Sequence, residues 1–299
     1  MSLPARLLNF WLPLTEKRHL GRAQDIRTLR RLTEMKARLW LHPPFGTTFD
    51  SRSTGGCPAL WVNPDSPGPL LLYLHGGAYV MGGPVTHRAM AARLSREAGL
   101  PLCLPDYRLA PEHTCPAALT DVLAVYRAVA DHPGGVILGG DSAGGGLALS
   151  LLSAILRAGL PKPLGLFAFS PWTDLTLSGV SCAENAARDV MLPVTRARDC
   201  AALYLGATAP EDPRASPLFA DFGGAPPVWL TVSGTEILRD DTLRMAERLR
   251  GQGAAVSLTV ERDLPHVWPL FHGMLPEGRV TLHALAQWLR SLSRPEAGS

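Results

Sequence analysis

Between residues 25 and 40, Ile26, Leu29, Leu32, Met35 and Leu39 recur every three or four positions with arginines between them. That spacing predicts an amphipathic helix. The period then changes: residues 47–53 and 58–63 alternate around Gly55-Gly56 and predict a β-hairpin. Beyond Pro69 the apolar positions fall into short solid runs, at 70–74, 100–104, 136–138, 164–169 and 228–232, with a further strand at 255–261. Short, wholly apolar runs are the pattern of strands buried on both faces. Helical patterns separate them at about 86–98, 115–130, 143–158 and 240–251, with a last one at 279–292. Strand and helix alternating in this way predict an α/β fold: a mostly parallel sheet covered on both faces by helices and begun by an antiparallel hairpin. In such sheets ligands bind beyond the carboxyl ends of the strands.

The chain has 299 residues, 46% of them hydrophobic and 18% charged, enough apolar content for a sizeable core. A collagen-like, low-complexity or disordered chain is excluded. The net charge of +3 is uneven: residues 1–40 hold nine Lys/Arg against three acids, so the rest of the chain is slightly acidic. No zinc-finger spacing, basic region with heptads or RNP-like strand accompanies the basic segment, which argues against nucleic acid as a partner. The apolar stretch from Leu7 to Leu14 is interrupted by Pro13 and is too short to span a bilayer. No small-residue cleavage site follows it, so a cytoplasmic location without integral membrane association is expected. The five cysteines are scattered and odd in number, the pattern of ordinary partly buried thiols. No clustered His, Cys or Asp suggests a metal, and no nucleotide-binding glycine motif suggests a cofactor.

Chemistry concentrates where two strands end. Gly140-Asp141-Ser142-Ala143-Gly144 lies between the strand at 136–138 and the helix at 143–158. A serine on such a turn is held in a strained backbone conformation with its Oγ exposed, and flanking glycines let strand and helix approach. The helix N-terminus beyond it offers unpaired N–H groups to a developing oxyanion. Taken alone, a glycine-rich turn of this kind also suits phosphate binding or simple chain reversal. The second element, His75-Gly76-Gly77-Ala78-Tyr79, directly follows the strand at 70–74. Gly76 and Gly77, with Ala143, are the expected oxyanion donors, and His75 is expected to brace the loop.

Together these motifs resemble the hormone-sensitive-lipase-like branch of the α/β-hydrolases, in its bacterial GDSAG-type esterase group. The resemblance extends through the segments 106–113, 170–175 and 212–218 to Pro265-His266, covering about residues 40–290. It departs from HGGG members at Ala78, which keeps its N–H. In this fold the chain order is nucleophile, acid, histidine. Of the nine histidines only His266, His272 and His283 follow every plausible acid, and His266 sits just beyond the expected strand at 255–261. The family places its base in the same Pro-His context. For the acid, the family's D-x-L-x-D loop maps its first carboxylate onto Glu236 and its last onto Asp240, which leaves Asp240 as the alternative. Asp141 is expected to bond within the elbow, and Asp106, Arg108 and Glu112 to form ion pairs in their proline-rich loop.

Residues 1–45 and 178–210 stand outside the sheet pattern, and the resemblance implies a helical cap built from both. The core is then expected at 46–177 and 211–299. Apolar groups there, including Phe10, Trp11, Leu12 and Leu14 in the first stretch and Met191 and Leu192 in the second, join Tyr79 and Trp172 as candidate pocket walls. The expectation is a serine carboxylesterase for short- to medium-chain acyl esters, with Ser142, Glu236 and His266 as triad. An amidase or deacetylase of the same fold is the alternative, and a non-catalytic receptor a remote one. The expected partner is a small-molecule ester, without cofactor or metal, and homodimers are common among such proteins.

Overall fold

The computed structural model describes residues 1–22 and 25–292, so the tail of the expected 211–299 segment lies outside the described residues. Eight strands form one sheet: β1 Phe49–Thr54, β2 Cys57–Val62, β3 Leu70–Leu74, β4 Leu102–Pro105, β5 Val136–Asp141, β6 Gly165–Phe169, β7 Val228–Ser233 and β8 Val256–Glu261. Their order is β1-β2-β4-β3-β5-β6-β7-β8. β2 is antiparallel to both β1 and β4, and all other neighbours run parallel. Leu74 pairs with Gly140, Asp141 with Phe169, and Ser233 with Glu261. The loops after β3, β5, β6, β7 and β8 therefore open on one edge of the sheet.

Alternation along the strands decides which core each side chain enters. Leu70, Leu72 and Leu74 of β3 join Val122 and Val125 of the helix Ala117–Val129 and Leu147 and Leu151 of the helix Ser142–Arg157. Leu71 and Tyr73 point the other way, to Met90 and Leu94 of the helix Pro84–Ala98 and to Leu282, Leu285 and Leu289 of the helix Pro276–Leu292. Burying each leucine contributes about 1.5–3 kcal/mol. β8, at the sheet edge, alternates half-buried with exposed positions instead, as a strand with one open side should.

Pro13, which interrupts the apolar stretch from Leu7 to Leu14, lies within a continuous helical run. A helix at Leu3–Leu12 continues through a π-helical turn, Pro13–Lys17, into Arg18–Gly21. Proline supplies no N–H to the ladder; the wider turn takes up the gap, and the Thr15 hydroxyl donates to the Trp11 carbonyl at 2.9 Å. The ions of the proline-rich loop, expected to pair within it, pair outside it. Arg108 meets Asp121 at 2.7 Å and Glu112 meets Arg30 at 2.7 Å.

The two stretches outside the sheet are tied together by Arg196, on the helix Val194–Leu205. Its guanidinium donates to the carbonyls of Leu20 and Arg22 at 2.6 and 2.5 Å, a favourable place for a cation at a helix carboxyl end. Leu12 is buried, but Phe10, Trp11 and Leu14 are exposed and form no pocket wall. No helix among the described residues is long and apolar enough to cross a membrane.

Main chains pack closely between β3, β5 and the helix that follows β5. A Cβ on Gly144 would stand 2.1 Å from the Leu74 carbonyl oxygen and 2.3 Å from that of His75, both main-chain atoms. Gly144→Ala should therefore cost about 4 kcal/mol or more, read as a loss on the order of 10 °C in Tm by calorimetry. An unchanged melting profile would show that the two backbones are free to part.

Candidate active site

Ser142 follows β5 directly and has φ +52°, left-handed backbone that a non-glycine residue holds at a cost of order 1–3 kcal/mol. The glycines around it make that turn sterically possible: a Cβ on Gly140 would lie 2.5 Å from the Gly144 carbonyl oxygen. The three residues are all buried, with Ser142, Glu236 and His266 exposed to 8, 1 and 4%. The loop after β7 brings up Glu236 and the loop after β8 brings up His266. His266 Nε2 lies 2.9 Å from Ser142 Oγ, and His266 Nδ1 lies 2.5 Å from Glu236 Oε2. Three side chains spread over 124 residues of sequence thus form one line of hydrogen bonds.

The other carboxylate oxygen, Glu236 Oε1, accepts from the Ser170 hydroxyl at 2.8 Å and the Ser233 N–H at 2.7 Å. Ser233 Oγ in turn accepts the Leu264 N–H at 3.0 Å, joining the acid loop to the histidine loop. Burial is the largest influence on Glu236 and raises its pKa against the opposing imidazole. Burial pulls His266 down, but the Glu236 carboxylate, helped by Asp189 and Asp141, outweighs it and leaves the imidazole above its ordinary value. Asp240 stands elsewhere: its carboxylate accepts the Ser181 N–H at 2.8 Å and pairs with Arg239 at 2.8 Å.

The loop after β3 is organised around Asp141. This buried carboxylate accepts from the Tyr73 hydroxyl at 2.7 Å and the Gly76 N–H at 3.0 Å, and meets His87 Nε2 at 3.2 Å. Burial would raise its pKa, but His87, Tyr73 and His75 outweigh that and hold it below the ordinary value. Asp141 therefore bonds across to the neighbouring loop as well as bordering the elbow. The consequence corrects the expected donor set: the Gly76 N–H is committed to Asp141. Gly77, with φ +126°, and Ala78, with φ +53°, come next in the loop. Among the described residues neither of their N–H groups donates a hydrogen bond, and Ala143 is the second residue of the helix Ser142–Arg157, in the first turn, where N–H groups lack intrahelical partners. His75 stacks on Tyr107 with ring centroids 4.2 Å apart, and burial pushes its pKa down to about 3, so it stays neutral.

A small, mostly apolar cavity of about 50 Å³ opens on Ser142. Its walls include Ala78, Met81, Trp172, Ile237 and Leu238 from the loops at the sheet edge, Leu192, Pro193 and Ala197 from the 178–210 stretch, and Leu20 from the N-terminal stretch. Trp172 and Leu192 thus line it as expected. Tyr79 and Met191 do not. Tyr79 is buried and stacked on Tyr204 at 3.8 Å, while the half-buried Met191 gives its N–H to Asp189 Oδ1.

Asp189 and Asn185 are site-building residues that the sequence pattern does not single out. Asp189 accepts the N–H groups of Met191 and Leu192 at one oxygen and of Ile237 at the other, each at 2.9 Å. Asn185 donates to the carbonyls of Gly234 and Glu236 at 3.1 and 2.8 Å. The 178–210 stretch therefore holds both the acid loop and a cavity wall. Ser170 carries a faint signal, as the first residue after a buried strand; Asp189 and Asn185 carry none, since nothing local marks their distant partners.

Among the described residues no group of three or more His, Cys, Asp or Glu is placed to hold a metal ion.

A strained serine after the fifth strand, hydrogen-bonded to a histidine that bears on a buried carboxylate, on a mostly parallel sheet of this order, is the arrangement of an α/β-hydrolase. Residues 71–270 match a family model described as an α/β hydrolase fold. The chain belongs to the α/β-hydrolase family, in its hormone-sensitive-lipase-like branch. An esterase from the bacterial hormone-sensitive lipase family superimposes with a TM-score of 0.92 at 35% identity, over 98% of this chain and 99% of that one. The esterase EstE5, whose crystals were soaked with p-nitrophenyl butyrate, superimposes with a TM-score of 0.92 at 33% identity over the same shares. An acetyl-hydrolase of Streptomyces hygroscopicus is 38% identical over 81% of this chain and 82% of its own length. The carboxylesterase/phospholipase LipF of Mycobacterium tuberculosis is 35% identical over 76% of this chain and 63% of its own.

Because the Glu236 charge raises the His266 pKa while burial lowers it, removing the charge should reverse the sign of the shift. His266 should titrate above about 6.5 in the unaltered protein and below it in Glu236→Gln, followed by NMR of the imidazole protons. A titration that does not move down in the variant would separate the two groups electrostatically.

Proposed function

We propose that this chain, a carboxylic ester hydrolase like the proteins it matches, hydrolyses short acyl esters through a Ser142–His266–Glu236 triad and an acyl-enzyme. The observation that carries the reading is the continuous line from Ser142 Oγ through both ring nitrogens of His266 to Glu236. In the first half-reaction His266 Nε2 takes the proton of Ser142 as Oγ attacks the ester carbonyl carbon. Glu236 fixes the ring with Nε2 toward the serine and stabilises the imidazolium that forms. The carbonyl oxygen becomes an oxyanion held by N–H groups of Gly77, Ala78 and Ala143. His266 then passes its proton to the leaving alcohol, and the C–O bond breaks to leave the acyl group on Ser142. Water, deprotonated by the same imidazole, repeats the attack and frees the carboxylic acid.

The small cavity beside Ser142 supports short acyl groups over long ones. Residues 1–45 and 178–210 serve as the cap in this reading, over a core made of the remaining segments: Leu20 and Leu192 reach the cavity from them, and Arg196 ties them together.

Ser142→Ala should lower kcat for p-nitrophenyl butyrate on the order of 10⁴-fold or more; near-normal turnover would remove the nucleophile. Glu236→Gln should lower kcat roughly 10²- to 10⁴-fold, whereas Asp240→Asn should stay within about threefold, because Asp240 bonds Ser181 and Arg239 and not the histidine. The reverse order would assign the acid to Asp240. The kcat/KM profile should lose activity as pH falls through the raised His266 pKa, since protonated imidazole cannot accept the serine proton. Across p-nitrophenyl esters from acetate to palmitate, kcat/KM should peak at the short end, and a maximum at palmitate would contradict the tight cavity.

A further inference from the structure

The N-terminal helix Leu3–Leu12 carries two apolar faces. One is used: Ala5 is buried and Leu8 packs with Leu264, Trp268 and Phe271, while the Asn9 side chain donates to the Asp263 carbonyl at 2.6 Å. This face sits on the loop that carries His266. The other face is open. Leu3, Leu7, Phe10, Trp11 and Leu14 are 69, 54, 67, 58 and 56% exposed, and their spacing puts them on one stripe.

Charge says what this stripe suits. Arg6 borders it and Arg18 stands one turn beyond Leu14; both are exposed. Among the described residues neither enters an ion pair, and the same holds for the exposed Arg27 and Arg31 of the next helix, Ile26–Trp40. A protein partner would need only the apolar stripe. A tryptophan- and phenylalanine-bearing stripe edged by unpaired arginines matches the boundary between acyl chains and anionic headgroups. We infer that this face docks the protein peripherally on anionic phospholipid surfaces, with the helix lying in the headgroup plane and Phe10 and Trp11 in the acyl boundary. The same helical run reaches the Ser142 cavity at Leu20, about 9 Å along the axis from Leu14. Docking would thus hold the cavity close to the lipid. The inference does not depend on the ester-hydrolysis reading, because binding is measured apart from turnover.

The test is flotation of the full chain with vesicles of phosphatidylcholine alone or mixed with phosphatidylglycerol, at low and high salt. The bound fraction should be about tenfold higher on the anionic vesicles and fall at high salt. Phe10→Ser with Trp11→Ser should lower it about tenfold, as should Arg6→Glu with Arg18→Glu. Both pairs should keep p-nitrophenyl butyrate turnover in vesicle-free buffer within about twofold. If a double variant does not fold, the lipid and salt dependence of the unaltered protein decides. Absence of binding at low salt, or equal binding to both vesicle types, overturns the inference. So does a dimer in sedimentation velocity that Phe10→Ser with Trp11→Ser dissociates, which would give the stripe to a second copy of the chain.

Discussion

The site depends on how closely three main chains meet where β3, β5 and the helix after β5 converge. Gly144 lies so near the carbonyls of Leu74 and His75 that no side chain fits between them. That contact fixes the direction in which the helix leaves the strand and holds Ser142 at positive φ. It also sets the loop after β3 alongside the elbow. Asp141, the last residue of β5, can then reach the Gly76 N–H and the hydroxyl of Tyr73, one strand away. A single steric constraint thus positions both Ser142 and the loop whose next N–H groups face no competing acceptor.

Backbone strain gathers along the same edge. Ala78, Tyr79, Ser142, Ser170 and Val267 all have positive φ, and each lies in or beside a residue that builds the site. Such conformations persist only where surrounding contacts over-determine them. Here those contacts are the buried aromatic stack of Tyr79 on Tyr204, the Ser170–Glu236 hydrogen bond and the packing of Val267 among the helices on one face of the sheet.

Glu236 and His266 present a second balance. Burying a carboxylate and an imidazole together is costly unless each finds a partner. Glu236 has three, Ser170, Ser233 and His266. The loop carrying it is held from outside the sheet by Asn185 and Asp189. The inserted stretch is therefore both a wall of the cavity and a support for Glu236, so changes within it can reach Glu236 and His266 without touching Ser142.

The sequence alone marked the sheet, the elbow, and Ser142, Glu236 and His266 as the residues that one line of hydrogen bonds joins. Short solid apolar runs bounded by turn residues fit strands covered on both sides, and glycine-rich turns at two strand ends mark where backbones crowd. Those signals are local. Tertiary structure alone decided the remainder. Gly76 gives its N–H to a carboxylate 65 residues away, which no spacing within the loop reveals. Tyr79 and Met191 turn from the cavity because distant partners, Tyr204 and Asp189, hold them. Pro13 stays within the helical run, in a wider π-helical turn, with the Thr15 hydroxyl on the Trp11 carbonyl beside it. Periodicity shows which residues are to be covered; the fold settles what covers them, and among the described residues nothing covers the stripe at Phe10 and Trp11.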